Sequence, residues 1–182
     1  MVDHEDGTPT DSGLMLEFCA GHDRAFRTLV ERHQRSLVNL FRRLGADHHG
    51  AEDCAQDTFL RLYRCRDRYQ ATAPFAAFLY TLGRHSWVDW TRRRGRAWQD
   101  EQRALEEAAP DPTSGLGDQL DLHEAMANLP EPMRWVLVLS AGHGLSYAEI
   151  ATILEIPVGT VKSRVFHAVR RLRAVLQLEV KE

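Results

Sequence analysis

The 182-residue chain is 43% hydrophobic and 27% charged, with a net charge of −3, the balance of a soluble globular protein of one domain or two small ones. It shows no signal-peptide pattern and no apolar run long enough to span a bilayer. Its three cysteines (Cys19, Cys54, Cys65) include no CxxC pair, which excludes a disulfide framework and fits a reducing cytoplasm. The net charge conceals blocks. The first 23 residues hold six acids and no Lys or Arg; residues 61–98 hold nine arginines against Asp67 and Asp89; residues 100–124 hold eight acids against Arg103. Two cationic surfaces flanking an acidic segment are the expected layout.

In chain order, residues 1–13 are polar and read as a tail, and Leu14–Ala20 as a short helix ending near Gly21. Asp23 is placed to cap a longer helix in which Phe26, Leu29, Val30, His33, Leu37, Leu40, Phe41 and Leu44 form one apolar face, stopped by Gly45. Asp47 caps the next, AEDCAQDTFLRLYR, whose stripe is Cys54, Thr58, Leu62 and Cys65, widened by Ala55, Phe59 and Tyr63. Its acids Glu52, Asp53 and Asp57 lie in the first turns, where negative charge is favourable; the same acids could also form a docking face for a protein partner.

Pro74 opens a third long helix, PFAAFLYTLGRHSWVDWTRRRGR, with Phe75, Phe78, Leu79, Leu82 and Ser86 facing inward and Gly83 read as a close helix approach. In its second half Tyr80, Trp87 and Trp90 interleave with Arg84, His85, Arg92, Arg93, Arg94 and Arg96. Aromatic faces can stack on unpaired bases while guanidiniums neutralise phosphates; either tryptophan taken singly could instead be core. Residues 99–120 are acidic and end in AAPDPTSGLGD, a linker composition. Beyond it LPEPMRWVLVLSAGHG reads as a helix packed beneath a helix-turn-helix, with His143 as an exposed turn residue.

The last element pair is LSYAEIATILEIPVGTVKSRVFHAVRRLR. Ser146 and Glu149 form a capping box, Glu155-Ile156-Pro157 a tight corner, and the second helix carries Thr160, Lys162, Ser163, Arg164, His167, Arg170 and Arg171 with no acid between Val158 and Ala174. That arrangement suits a helix lying in the DNA major groove. No strand pattern occurs. The predicted class is all-α: two small helical domains, 14–97 and 118–178, joined by a flexible acidic linker, 98–117.

Catalytic chemistry is not visible. There is no phosphate-cradling glycine motif, and His48 and His49 beside Glu52, Asp53 and Cys54 are a loop next to capping acids rather than a metal set. No enzyme activity, metal or cofactor is expected.

The order of FRTLVERHQRSLVNLFRRL, AEDCAQDTFLRLYR and FAAFLYTLGRHSWVDWTRRRGR resembles region 2 of the extracytoplasmic-function (group IV) sigma factors of bacterial RNA polymerase. The segment LPEPMRWVLVLSAGHGLSYAEIATILEIPVGTVKSRVFHAVRRLR is similar to their region 4. The linker leaves no room for a region 3 domain.

The resemblance implies a factor that directs core polymerase to promoters, assists opening, and serves transcription regulation in a stress response. It implies that Asp53, Gln56, Asp57 and Phe59 dock on the clamp helices of the largest polymerase subunit, the flap being the second core contact. It implies that Tyr80, Arg84, His85, Trp87, Trp90, Arg92 and Arg93 take the −10 element and its unpaired strand. Thr160, Lys162, Ser163, Arg164, His167, Arg170 and Arg171 correspond to the −35 reader. An anti-sigma protein is the further partner implied, with no membrane contact. Glu155 stands where the family often has Gly, His85 where it often has Asn, and the run GHG at 142–144 is atypical. The alternatives are a sigma mimic that only sequesters an anti-sigma protein, and a stand-alone helix-turn-helix regulator.

Overall fold

The chain turns on three glycine- or cap-defined corners that its local sequence specifies. The structure, a computed structural model, describes residues 9–105, 125–126 and 128–176, with 96–105 described by backbone alone. Helix α1 spans Asp11–Cys19, capped by the Thr10 hydroxyl, which accepts from the Gly13 amide at 3.1 Å. It begins earlier than the predicted Leu14 because Asp11 is anchored: its carboxylate pairs with Arg32 (2.7 Å) and His33 (2.8 Å) on the next helix.

Helix α2 spans Asp23–Leu44 and buries Leu29, Leu37, Leu40, Phe41 and Leu44. His22, not Asp23, is the N-cap residue, and no side chain caps that end. Gly45 closes it in the left-handed region (φ 107°), which returns the Ala46 amide to the Phe41 carbonyl. Helix α3, His48–Arg64, starts on Asp47, whose carboxylate accepts from the Gly50 amide at 2.7 Å, and runs into a 3-10 turn at Arg66–Arg68. Helix α4 spans Phe75–Leu105 and so continues past residue 97, into the stretch assigned to the linker. Between Arg96 and Leu105 there is no Pro or Gly, and Ala, Gln, Glu and Leu favour helix there.

Helix α5, Glu131–Leu137, begins at two prolines placed where an amide is not needed, and continues through a π turn, Val138–Gly142. Helices α6 (Tyr147–Leu154) and α7 (Val158–Val175) form the helix-turn-helix. The predicted capping box is present: the Ser146 hydroxyl accepts from the Glu149 amide and the Glu149 carboxylate from the Ser146 amide at 2.8 Å. At the corner Glu155 sits at φ 55°, left-handed, where a side chain is strained relative to glycine.

The described elements are all helical and fall in two regions, as expected, and the two regions share a core. One continuous core runs from Leu14, Phe18 and Phe41 through Leu79, Tyr80 and Trp87 to Trp135, Val136, Leu139, Ile150 and Val161. A second small cluster, Leu129, Leu137 and Ala168, pins α7 to α5. Helix α6 packs on α4, and the π turn packs on α2. The rest of the expected linker, residues 106–117, lies outside those described.

The close helix approach expected at Gly83 lies elsewhere. A Cβ on Gly83 would meet Phe41 at 3.5 Å, ordinary contact, whereas one on Gly50 would lie 2.4 Å from Cζ2 of Trp90. The backbone of α3 is therefore pressed onto an indole of α4. Gly50→Ala should cost about 1–3 kcal/mol as overpacking. Gly83→Ala should be neutral or stabilise by up to about 1 kcal/mol by raising helix propensity. Urea midpoints of the two variants check both; the reverse order would refute the packing described.

Candidate nucleic-acid interface

Helix α7 presents its cations because its apolar residues are spent inward. Val161 and Ala168 are fully buried, so the residues at intervening positions face out: Lys162, Ser163, His167, Arg170 and Arg171 are exposed, while Thr160 and Arg164 are half-buried. None of these cationic side chains is paired with a carboxylate among the described residues. The Ser163 hydroxyl donates to the Thr160 carbonyl at 3.0 Å and is locally occupied. Pro157 starts the helix with no acidic residue in its first turn, leaving its amides and side chains biased towards anions. Tyr147, Val165, Phe166 and Val169 line an apolar groove along it, rimmed by Lys162, Arg170 and Arg173.

Helix α4 divides along its length. His85, Arg92 and Arg93 are exposed and Trp90 is half-buried. Arg94 lies over the Trp90 ring at 5.1 Å and also donates to Asp47 at 2.9 Å. Tyr80 and Trp87, expected with them on a strand-binding face, are instead 5% and 4% exposed. The reason is the C-terminal half. The Trp87 indole donates from Nε1 to Glu131 Oε1 at 2.8 Å, stacks on Phe41 at 6.0 Å and meets Trp135 edge-on at 6.5 Å. Arg84 pairs with Glu155 at 3.1 Å.

His143 is the residue misjudged as an exposed turn. Its Nδ1 shares a hydrogen bond of 2.8 Å with the Tyr80 hydroxyl and lies 3.2 Å from the Ser36 hydroxyl, joining the π turn to α4 and α2. Arg134 reaches from α5 to donate to the Leu44 carbonyl at the end of α2, and to Leu129 at 2.8 Å.

On α3 the acidic face is only partly free. Asp53 and Gln56 are exposed. Asp57 is held by Arg61 at 2.7 Å, and Arg61 also grips Asp89 of α4 at 2.6 Å. Burial pushes the Asp57 carboxyl up, but the Arg61 guanidinium outweighs it and leaves the group below its ordinary value. Phe59, expected on the docking surface, is 8% exposed and faces Phe26, because it shares the Ala55–Leu62 stripe. Leu60 and Tyr63, 53% and 44% exposed, occupy the surface in its place. A stripe read as wide enough to include Tyr63 and Phe59 alike could not separate them. The Cys54 thiol is pushed up to about 12 by burial, so it is inert packing, and no group of three or more metal-ligating residues occurs among the described residues.

The family model described as Sigma-70 region 2 matches residues 29–97, and that described as Sigma-70, region 4 matches residues 119–172. The RNA polymerase sigma-H factor of Pseudomonas aeruginosa is 30% identical, covering 94% of this chain and 96% of its own length. The chain belongs to the extracytoplasmic-function (group IV) sigma factors. Similarity extends to the SigL factor of Mycobacterium tuberculosis, 37% identical over 83% of this chain and 88% of that protein. Among solved structures, CnrH in complex with the cytosolic domain of CnrY is 28% identical with TM-score 0.70, covering 91% of this chain and 96% of that one. RpoE in complex with the anti-sigma factor NepR, from Bartonella quintana, is 29% identical with TM-score 0.70, covering 85% and 98%.

The protein is thus a sigma factor, the component that directs RNA polymerase to promoters. In this sigma factor the region 2 match covers α3 and most of α2 and α4, the region 4 match covers α5, α6 and most of α7, and the His143 bridge joins the two. Burial, and then the Arg43 cation, lower the His143 pKa to about 4 from an ordinary 6.5. The folded state therefore holds a neutral imidazole, and the unfolded chain takes up a proton first as pH falls. Stability from this group is complete above pH 6.5, declines towards pH 4 and changes no further below. His143→Gln keeps a polar atom for Tyr80 but does not titrate. The stability of wild type minus that of His143→Gln, from urea unfolding, should fall across that window and be flat above pH 7; a flat difference throughout would refute the buried neutral imidazole.

Proposed function

We propose that residues 14–97 bind core polymerase and the −10 element, and that residues 118–178 bind the −35 element, the two acting across a linker at 98–117 in the cytoplasm. Core docking uses the exposed end of α3: Asp53 and Gln56 supply polar contacts, and Leu60 and Tyr63 the apolar area. Asp57 and Phe59 contribute from behind, by fixing Arg61 and the core of the helix. The single observation that carries this reading is that α7 and the second half of α4 both turn exposed cations to solvent on one chain.

At the −35 element α7 lies in the major groove. Lys162 and Arg164 take phosphates or base edges, with Thr160, Ser163 and His167 beside them, and Arg170 and Arg171 follow the backbone. At the −10 element Arg92 and Arg93 hold phosphates while His85, Trp90 and, once uncovered, Tyr80, Arg84 and Trp87 face the unpaired strand. Extruding a base costs a few kcal/mol, and stacking returns about 1–3 kcal/mol per base, so two or three aromatic contacts with charge neutralisation suffice to bias opening. The polymerase supplies all bond-making chemistry. An anti-sigma protein is a further partner, as NepR is for the similar RpoE. A mimic serving only that partner would have no use for the exposed cations of α7, and a stand-alone regulator none for α3.

The test is transcription by purified chain with core polymerase, with start sites mapped. Asp53→Lys should weaken core binding about tenfold, while Lys162→Glu with Arg171→Glu should spare core binding, weaken −35 binding at least tenfold and reduce its salt dependence. Equal loss of both activities in both variants, with helicity intact, would overturn the division of labour.

A further inference from the structure

Asp89 is the one acid between Tyr80 and Arg96, inside the stretch of α4 that the proposed function gives to the opened strand. A carboxylate there repels phosphate and also competes for the neighbouring cations. Arg92 Nη2 lies 3.1 Å from Asp89 Oδ1, three residues along the same helix, and Arg93 donates from Nε to the Asp89 carbonyl at 3.2 Å. The charge that offsets this acid comes from another helix. Arg61 of α3 donates from Nη2 to Asp89 Oδ2 at 2.6 Å and from Nε to Asp57 Oδ2 at 2.7 Å. One planar guanidinium thus spans two carboxylates on two elements, a fork that a lysine ammonium does not offer.

The charges that face Asp89 are Arg61 of α3 with Arg92 and Arg93 of α4; those that face Asp57 are Arg61 and Arg93, with the Ser86 hydroxyl beside it. The hydrogen bond from Arg61, with the cations of Arg61, Arg92 and Arg93 behind it, holds the Asp89 carboxyl below its ordinary value despite the opposing effect of burial. Three guanidiniums therefore face two carboxylates, a surplus of one positive charge; without Arg61 the balance is even. An arginine serving Asp57 alone would need only the contact within α3. The second arm, to α4, acts on the other face.

We propose that Arg61 is a positioning residue for strand capture: from α3 it neutralises Asp89, so that Arg92 and Arg93 present a net positive surface to the phosphates of the opened strand. Arg61 itself touches no nucleic acid. The inference rests on α4 being the strand face, and the test separates the two claims.

The probe is a fluorescent 12-nucleotide single-stranded DNA of mixed sequence, titrated with full-length chain over a range of salt concentrations. Every chain carries Lys162→Glu and Arg171→Glu, which suppress binding through α7. Arg92→Ala with Arg93→Ala should weaken binding about tenfold; unchanged binding would remove α4 as the strand face and the proposal with it. Given that loss, Arg61→Met should weaken binding about fivefold and reduce the slope of log K against log salt by about 0.7, the share of one phosphate contact on a single strand. Adding Asp89→Asn should restore both affinity and slope. Arg61→Lys keeps the charge and should bind within about twofold of the parent chain. An unchanged slope in Arg61→Met, a loss that Asp89→Asn does not reverse at intact helicity, or an equal loss in Arg61→Lys would overturn the proposal and leave Arg61 a link between helices. Where Arg61→Met fails to fold, NMR titration of the Asp89 carboxyl in the unaltered chain decides. Titration below the ordinary carboxylate range upholds the neutralisation by Arg61, and titration at or above that range overturns it.

Discussion

The structure depends on where one indole goes. Trp87 lies on Phe41 at an interplanar angle of 4°, stacks against Trp90 at 5.2 Å, and meets Trp135 edge-on. A tryptophan buries on the order of 150–250 Å² and needs a partner for its N–H. Here α2 supplies the apolar floor, α5 the apolar wall, and Glu131 the acceptor. Trp90 extends the same stack to α3, where Gly50 gives it room. Three helices are thereby keyed to one side chain of α4, and the core becomes continuous across a chain whose sequence divides in two.

That continuity sets a competition. An interface between domains of one chain is normally polar and mobile, and relative motion is the default unless the contact is large and apolar. The seam here is mixed. Its centre is aromatic, but its rim is Arg84–Glu155, Arg134 on a helix carbonyl, and a neutral imidazole against a phenol. Exposed or half-exposed ion pairs contribute little, about 0–1 kcal/mol, and yield readily to another anion.

Much of the local structure was legible because it depends on short-range rules. The Ser146–Glu149 box, the Asp47 cap, the Gly45 stop and the apolar stripes of α2 and α7 each follow from residues within four positions of one another, and all are present. The helix-turn-helix and the outward cations of α7 follow the same way. What sequence periodicity could not show is which apolar face finds which. Tyr80 and Trp87 lie on a helix with cations at neighbouring positions, and such an amphipathic aromatic serves equally as core or as stacking surface. His143, between two glycines, carries no local sign that Ser36 lies beside it from 107 positions away. Phe59 and Tyr63 belong to one stripe, and only the rotation of α3 against α2 decides that the first is inside. Gly83 and Gly50 differ likewise through a neighbour, Trp90, distant in sequence.

The closed arrangement divides each grip by physical type. Long-range electrostatics remain outside: Lys162, Arg170 and Arg171 on α7, and Arg92 and Arg93 in the second half of α4, all face solvent. The groups inside the seam, the rings of Tyr80 and Trp87, are those that act only at short range, by stacking and hydrogen bonding. Charge contacts act over about a Debye length, roughly 8–10 Å at physiological salt, and need no exact fit. They bring a phosphate backbone close without selecting it. Stacking on a base requires a bare ring face, and in this structure the rings of Tyr80 and Trp87 are covered. Access to the rings is therefore coupled to the contacts that hold α5–α7 on α2 and α4, made by Glu131, Arg134 and His143.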